Sequence, residues 1–411
     1  MPLLISTAEL QPDMKLHEPI FVNGRVMLQA GRPLSAAEIE ALQRRFPGRP
    51  VRVEDPVLDK VIEFEDDTRE RSIASEVQQR VVQSMSDVRA RFAERTTLGG
   101  ADLAALEAAV NELLAYLQAN PTSAALVAEC LADSNHLSNH TGNVFYLSML
   151  LGSKVLDYVA AERARQVPGA QSKDHLAMDL TPLGLASMIM DLGLLPLQEA
   201  FTSGNLLNEK DQEAVRQHPH IGAAMLPETL SPVCRAIVRT HHENVDGTGY
   251  PAKLTGEKLH VFARIVRIAD AFDAVTSEQF SKEIKSPARA IWEMTQGPFR
   301  KCYDPRLMKA FADMIQPFPI GSKLRLRDGR YAAVVKYNRQ DPFRPIAIVA
   351  FDAQNRPLAR EQLRKPFSLA ESEVRIASFR GEDLSYLYST NVSPVTPTAA
   401  RFSTPLHATY P

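Results

Sequence analysis

The stretch from Thr240 to Pro251, which reads THHENVDGTGYP, constrains this chain more than any other part of its sequence. It places His241 and His242 side by side, with two carboxylates close behind them. Neutral imidazole binds iron, zinc and similar metals, and carboxylates bind harder ones. The glycines permit backbone angles that other residues avoid, and the proline fixes its own. The cluster therefore indicates a metal-binding turn, although an isolated DGTG is more often a plain surface turn after a helix.

This stretch resembles the HHExxDGxGYP motif of the HD-GYP domain family and matches every fixed position: His241, His242, Glu243, Asp246, Gly247, Gly249, Tyr250 and Pro251. The family belongs to the HD metal-dependent phosphohydrolase superfamily. The resemblance implies a bacterial signal-transduction protein whose helical domain hydrolyses cyclic di-GMP with the help of bound metal ions. It covers Pro121 to about Pro317, where the sequence predicts long helices with short connections.

Composition limits the other classes of function. A chain of 411 residues is expected to hold roughly two to four domains. The net charge of −2 gives no global basic field, so neither nucleic acid nor an anionic membrane is an expected partner. Cys130, Cys234 and Cys302 lie far apart and indicate reduced thiols. The sequence shows no secretory signal and no apolar run long enough to span a membrane, which predicts a cytoplasmic protein.

The predicted fold is mainly α, with a helical HD-type domain flanked by a small α+β N-terminal module and a small antiparallel β C-terminal module. In the N-terminal module, Asn23-Gly24 predicts a hairpin, and Ser35 with Glu38 predicts a capped helix. Asp328-Gly329 predicts a hairpin in the C-terminal module. The predicted segments are 1–55 (N-terminal module), 56–120 (helical connector), 121–317 (HD-GYP domain), 318–385 (β module) and 386–411 (disordered tail).

The resemblance implies a set of metal ligands carried by separate helices. His140 lies in NHTGNVFYLSMLLG, which is similar to HSxNVxxLxxxLG in the family. His218 lies in QHPHIGAAML, similar to HPxxGxxxL, and Asp270 lies in ARIVRIADAFDAVTS, similar to ARIxxVADxFDAxTS. His136, one helical turn before His140, is a further candidate because both rings share a helix face. The complete candidate metal set is His136, His140, Asp191, His218, His241, His242 and Asp270.

The namesake motif is where the chain departs from the family. The family reads HDxGK, whereas this sequence reads MDLGL from Met190 to Leu194. The thioether of Met190 is a poor ligand for ferrous iron, manganese or magnesium. We therefore expect a divalent metal, iron or manganese, at fewer than two ions per chain. The resemblance implies catalytic roles for the carboxylates of Asp191 and Glu243.

Substrate contacts are also expected to differ from those of the family. Where the family carries Arg and then Lys after the FDAVTS helix, this chain has Gln279 and Lys282. Gln lacks the planar fork of donors that Arg offers, so a bidentate phosphate contact is lost. Lys282 remains a candidate for substrate binding, although it is equally well explained as a solvated surface charge. The other candidates for substrate binding are Gly247, Gly249, Tyr250 and Pro251.

Three functions stay open on these observations. The chain is a slow cyclic di-GMP phosphodiesterase, a sensor that binds the nucleotide without turnover, or a scaffold that contacts diguanylate cyclase domains. The apolar stripe from Ile73 to Phe92 has a mean spacing of roughly 3.8 residues, longer than a coiled-coil heptad requires. It favours a helix packed on its neighbours, and a homodimer remains open.

Overall fold

The structure, a computed structural model, describes residues 2–17, 19–22, 25–55, 58, 83, 87, 90, 98–119, 137–166, 178–197, 209–277, 285–338 and 340–388. Its α-helices are α1 (Ala36–Arg45), α2 (Gly100–Ala119), α3 (Leu137–Lys154), α4 (Leu156–Gln166), α5 (Thr181–Ile189), α6 (Glu209–Arg216), α7 (His218–Met225), α8 (Pro232–Thr240), α9 (Val261–Thr276), α10 (Pro287–Thr295) and α11 (Pro305–Ala312). Its strands are β1 (Leu3–Ser6), β2 (Ile20–Val22), β3 (Arg25–Leu28), β4 (Pro50–Val53), β5 (Lys323–Leu326), β6 (Tyr331–Lys336), β7 (Ile346–Phe351), β8 (Phe367–Ser368), β9 (Ile376–Phe379) and β10 (Glu382–Asp383). The predicted mainly α class, with small antiparallel sheets toward both ends, is confirmed.

The chain forms two compact units. One unit contains Met1–Asp67, Ile284–Trp292 and Ile315–Val392, and the other contains Thr68–Glu283, Glu293–Met314 and Ser393–Pro411. The first unit thus combines the N-terminal segment with segments from the last third of the chain, while most helices belong to the other unit. The predicted division into five segments stays a prediction.

Two short sequence motifs predict the local structure of the N-terminal part of the first unit. The Ser35 hydroxyl accepts the Glu38 backbone N–H at 3.3 Å, and the Glu38 carboxylate accepts the Ser35 backbone N–H at 2.9 Å. This reciprocal pair is the capping box predicted at the start of α1. Strands β2 and β3 pair antiparallel, as the hairpin prediction requires. The turn residues Asn23 and Gly24 lie outside the described residues.

The C-terminal part of the first unit is a six-stranded antiparallel sheet in the order β10-β9-β5-β6-β7-β8. Successive side chains of a strand point to opposite faces. Accordingly, Ala333 of β6 packs into a core shared with β1, β4 and α1, while Ala332 and Val334 pack into a second core with Phe318 and Phe379. The Leu4 N–H of β1 donates to the Gly321 carbonyl at 2.8 Å, which ties the two ends of the chain together within this unit.

Helix α9 is the central element of the second unit. All fifteen residues from Val261 to Val275 are buried, including four ionisable side chains. Helices α3, α5 and α8 pack in contact with one another or with α9. Buried charges are costly unless they are paired. Arg264 is paired with Glu162 at 2.8 Å and with Asp304 at 3.0 Å, which links α9 to α4 and to the cap of α11.

Several predictions concern residues without a described placement. Cys130, the stripe from Ile73 to Phe92 and the predicted tail lie wholly or largely outside the described residues. Cys234 and Cys302 carry free thiols. No single helix of the described part is long and apolar enough to cross a membrane, although the pair His140–Lys154 and Leu156–Arg165, bent by 87°, reaches the length and composition together.

Candidate metal centre

An N-terminal cap and an anchor to α7 position helix α8, which carries the two adjacent histidines at its C-terminal end. The Ser231 hydroxyl accepts the Val233 N–H at 3.3 Å and starts the helix, and His241 lies at its C-terminal end. The guanidinium of Arg235 donates to the backbone carbonyls of Ala223, Leu226 and Pro227, which anchors α8 to the end of α7. The histidines therefore project from a fixed helix end toward the start of α7, where His218 lies.

The second part of the motif folds back over these histidines through close backbone contacts. A Cβ added to Gly249 would lie only 2.6 Å from the His242 carbonyl oxygen, so a larger residue does not fit there. Gly247 has a φ of 79°, in the left-handed region that favours glycine. The Tyr250 ring stacks on His242 with the ring centres 4.7 Å apart. Both glycines, which were predicted to touch substrate, are thus required by the turn itself.

Four buried side chains bring one potential ligand atom each to within 4.8 Å of one another: Asp191, His218, His241 and His242. Asp191 Oδ1 lies 3.5 Å from His218 Nε2 and 3.7 Å from His241 Nε2. Three imidazoles and one carboxylate make a donor set suited to iron, zinc or manganese. This chemistry is that of a metal centre.

The hydrogen bonds of two histidines fix which ring nitrogens hold protons. His218 Nδ1 lies 2.8 Å from the Val215 carbonyl oxygen, and His241 Nδ1 lies 2.8 Å from the Val238 carbonyl oxygen. A carbonyl only accepts, so each Nδ1 carries the proton and each neutral ring presents a lone pair at Nε2. These two Nε2 atoms are 3.1 Å apart. His218 and His241 could therefore both hold the same metal ion through these atoms.

His140 forms the other side of the same cluster. Its Nδ1 lies 2.6 Å from Asp273 Oδ2, and Asp273 Oδ1 accepts from Asn143 at 2.8 Å and from Ser277 at 3.1 Å. The ring is thereby oriented with Nε2 3.4 Å from Asp270 Oδ1 and 3.7 Å from Asp191 Oδ2. Asp273 therefore binds Nδ1 of His140, while Nε2 of the same ring faces the carboxylates of Asp191 and Asp270.

The turn that carries Asp191 follows α5 and lies directly against α7. A Cβ on Gly193 would overlap the His218 carbonyl oxygen and lie 2.6 Å from the Gly222 amide nitrogen. Only glycine allows this approach, which places Asp191 beside His218. Met190 and Leu194, at the positions where the family carries His and Lys, are both buried. Their side chains have become part of the hydrophobic interior.

The electrostatics of the cluster favour ionised carboxylates. Burial would raise the pKa of Asp191, but the neighbouring imidazoles of His218, His241 and His140 outweigh burial and hold this pKa well below its ordinary value. Burial would raise the pKa of Asp270 too, but His242 and His140 lower it. Ionised carboxylates are the form that binds a cation.

The histidines divide into two classes. Burial and the neighbouring His241 lower the pKa of His242 to about 3, so this ring is neutral at pH 7. Burial would lower the pKa of His140, but hydrogen bonds to Asp270 and Asp273 raise it to about 10. A proton held on His140 partly balances the surrounding carboxylates when no cation is bound.

The structure brings six of the predicted ligands into one contiguous buried cluster. Asp270 links its two sides, because Oδ2 lies 3.3 Å from His242 Nδ1 while Oδ1 faces His140. The cluster members are His140, Asp191, His218, His241, His242 and Asp270. His136, Gln279 and Lys282 lie outside the described residues. The roles predicted for all of these side chains stay predictions.

Glu243 is buried, and both of its carboxylate oxygens accept hydrogen bonds from backbone groups. Its Oε1 accepts the Ala252 N–H at 2.6 Å and its Oε2 accepts the Leu254 N–H at 3.0 Å. Both oxygens therefore close the turn after Pro251. The catalytic role of Glu243 stays a prediction. Its hydrogen bonds show that the side chain stabilises the turn.

Sequence reasoning assigned no role to four polar residues that support the cluster: Asn143, Asn244, Arg267 and Asp273. Asp273 and Arg267 lie one turn on either side of Asp270, on the same face of α9. Arg267 donates to Asp270 Oδ2 at 3.3 Å and to Asn244 Oδ1 at 2.9 Å. A charged residue three positions from a predicted ligand, within the apolar run ARIVRIAD, was the available signal.

Comparison with known proteins identifies an HD domain in this chain. Residues 159–307 match the family model described as HD domain. A cyclic di-GMP phosphodiesterase of Pseudomonas aeruginosa is 30% identical over 176 residues, which is 42% of this chain and 42% of the relative. A cyclic di-GMP phosphodiesterase of Borreliella burgdorferi is 28% identical over 141 residues, 34% of this chain and 37% of the relative. The matches thus span about two fifths of these relatives.

Among solved structures, an HDG"Y"P protein from Bdellovibrio bacteriovorus covers 76% of this chain and 99% of its own, with a TM-score of 0.43 and 14% identity. That likeness is too distant to carry a functional inference. The family model and the curated relatives agree with the motif that opens at His241. Residues 159–307 therefore carry an HD domain, and the motif from His241 to Pro251 resembles that of the HD-GYP family.

Proposed function

We propose that this chain binds one divalent metal ion, iron or manganese, and hydrolyses cyclic di-GMP slowly at that centre. The ligands are Asp191, His218, His241 and His242. The observation that carries the proposal is the pair of Nε2 lone pairs facing each other at 3.1 Å in a buried site. The relatives that are named cyclic di-GMP phosphodiesterases support the choice of substrate.

Hydrolysis of cyclic di-GMP requires a cation because the substrate is negatively charged. A phosphodiester repels hydroxide, and a bound divalent ion acidifies water and neutralises charge on the phosphoryl oxygens. Asp191 is suited to this site because its oxygens face different partners, Oδ1 toward His218 and His241, and Oδ2 toward His140. Asp273 keeps the His140 ring in one orientation, which preserves the order of the cluster in the absence of substrate.

Reduced turnover follows from Met190. The side of the cluster formed by His140, Asp191 and Asp270 lacks one imidazole, since a buried thioether stands in its place. Loss of a group that only orients a ligand costs about 10–100-fold in affinity or activity, and loss of a ligand costs more. We expect the second ion of a two-metal site to be weak or absent here.

A second candidate function is a sensor or scaffold without turnover. Leu194, where the family carries the Lys that would face substrate phosphate, is buried. The turn from His241 to Pro251 nevertheless matches the family motif at every fixed position, and its exposed residues Asp246 and Thr248 would offer a surface to a nucleotide or to a diguanylate cyclase domain. Dimerisation and the cytoplasmic location are further proposals.

The test combines hydrolysis with binding. Purified full-length chain is incubated with cyclic di-GMP and either manganese or ferrous iron, and the product is quantified by chromatography. Slow turnover that is abolished in D191N supports the enzyme. Binding of cyclic di-GMP in calorimetry without product supports the sensor. Retention of a cyclase domain without nucleotide binding supports the scaffold, and the absence of all three overturns the proposal.

The matched control is His220→Ala. His220 lies on α7, two positions from His218, and its side chain is only half-buried. The control should leave turnover and metal content unchanged, whereas H218A should lose both. A loss of both in the control would assign the effect to the helix and not to the ligand.

A further inference from the structure

Arg267 is the one guanidinium that contacts a candidate ligand among the residues the structure describes. It is buried in α9, donates from Nη1 to Asp270 Oδ2 at 3.3 Å, and donates from Nε to Asn244 Oδ1 at 2.9 Å. Its guanidinium carbon lies 5.9 Å from the centre of the Tyr303 ring. Three different elements thus hold the side chain in one position.

The buried carboxylates of the cluster indicate the role of the Arg267 charge. Asp191, Asp270 and Asp273 are all buried and all lie within 3.7 Å of His140. Buried carboxylates must be compensated by cations or by hydrogen bonds. An ion on the Asp191 side would compensate Asp191, and Asn143 and Ser277 donate to Asp273. Asp270 has no such donor in the described residues other than Arg267 and the two histidines it faces.

A guanidinium suits this task because it keeps its charge at any pH the protein meets. Its planar fork lets one nitrogen hold Asn244 while another holds Asp270. The same carboxylate oxygen that accepts from Arg267 also lies 3.3 Å from His242 Nδ1. A cation arriving at Asp270 would therefore approach an existing positive charge. Arg267 and Met190 thus disfavour the same second ion, one by charge and one by a missing ligand.

We propose that the Arg267 guanidinium takes the place of a second metal cation at Asp270, which makes this a site for one metal and one arginine. The inference rests on the proposed function, in which the Asp191 side holds the first ion. It assigns Arg267 as a positioning residue that fixes Asp270 and joins it, through Asn244, to the turn that contains Tyr250.

The experiment measures binding of a second manganese equivalent to the metal-stripped full-length chain, by calorimetry and by metal analysis after dialysis. M190H restores the missing imidazole, and we expect it to bind the second equivalent weakly. M190H/R267Q removes the competing charge and should bind that equivalent at least tenfold more tightly. M190H/R267K keeps the charge and should resemble M190H. Equal affinity in M190H and M190H/R267Q would overturn the proposal.

A folding control keeps the result interpretable. Each variant is checked by circular dichroism and thermal melting without metal. If M190H/R267Q does not fold, M190H/N244D serves instead, because a carboxylate at position 244 neutralises the guanidinium where it lies. M190H/N244D should then bind the second manganese equivalent more tightly than M190H does, and equal affinity in the two variants would overturn the proposal. Failure of the proposed function is distinct, since it appears as loss of the first equivalent and of nucleotide binding in the unmodified chain.

Discussion

His218 and His241 present their Nε2 atoms to each other at 3.1 Å, one from the start of α7 and the other from the end of α8. Each ring donates its Nδ1 proton to a carbonyl of the preceding turn, so neither Nε2 can donate to the other while both rings are neutral. Asp191 Oδ1 completes the triangle. A bound cation, as proposed, would make all three contacts favourable.

Metal should therefore stabilise the fold. Manganese at one hundred times its dissociation constant is expected to add about 2.7 kcal/mol to the free energy of unfolding. Thermal melts with manganese and with a chelator measure this difference. H218A should abolish it, and H220A should retain it. A manganese effect of equal size in H218A would contradict the assigned ligands.

Gly193→Ala should uncouple Asp191 from His218. The added methyl group would overlap the His218 carbonyl oxygen, so the turn must move away from α7. We expect a loss of about 1–3 kcal/mol of stability, together with loss of metal binding. Gly100→Ala is the control, because a Cβ there meets no atom within 4 Å. Urea unfolding and metal analysis give both quantities, and a G193A chain with full stability and metal content would refute the close approach.

Glu243→Gln separates a structural role from a catalytic one. The carboxylate accepts two backbone N–H groups, and a neutral amide retains only one acceptor oxygen. Hydrogen bonds to charged groups contribute about 1.5–3 kcal/mol, so the melting temperature should fall while metal content is kept. Unchanged stability with complete loss of turnover would instead support the catalytic role predicted from the sequence.

Acid should destabilise the second unit through His260, which caps α9. Its Nδ1 accepts the Phe262 N–H at 3.1 Å, and burial with nearby Arg163 and Arg264 lowers its pKa to about 4. The unfolded chain, with an ordinary histidine pKa, binds more protons between pH 6.5 and pH 4. Stability should thus fall by up to about 3 kcal/mol as the pH drops through that window.

The measurement compares urea unfolding of the unmodified chain and H260N from pH 7 to pH 4. Asn keeps an N-cap acceptor but does not titrate. The difference between the two pH profiles isolates His260 from the other acidic transitions. Parallel profiles would show that protonation of His260 does not set the acid limit.

The sequence predicted features that depend on local chemistry. The capping box of Ser35 and Glu38 and the antiparallel pairing around Asp328-Gly329 needed only neighbours in the chain. The convergence of His140 and Asp270 could be predicted because the motifs resemble a family whose helices bring those positions together. Spacing alone does not show that residues 130 positions apart meet.

Contacts between distant segments could not be predicted in the same way. The tie between Leu4 and Gly321 depends on backbone groups that carry no sequence signal. The hydrogen bonds of Glu243 depend on the course of the turn after Pro251, since the motif gives the residue type but not its hydrogen-bond partners. Arg267 was missed because an arginine on a predicted helix is usually solvated.

The most direct test of the central claim is the metal content of the purified full-length chain after reconstitution with excess manganese or ferrous iron, measured together with cyclic di-GMP hydrolysis. We predict about one ion per chain, or fewer, with slow or no turnover. Two tightly bound ions per chain with efficient hydrolysis would contradict a centre in which Met190 replaces an imidazole ligand and Arg267 takes the place of a second metal.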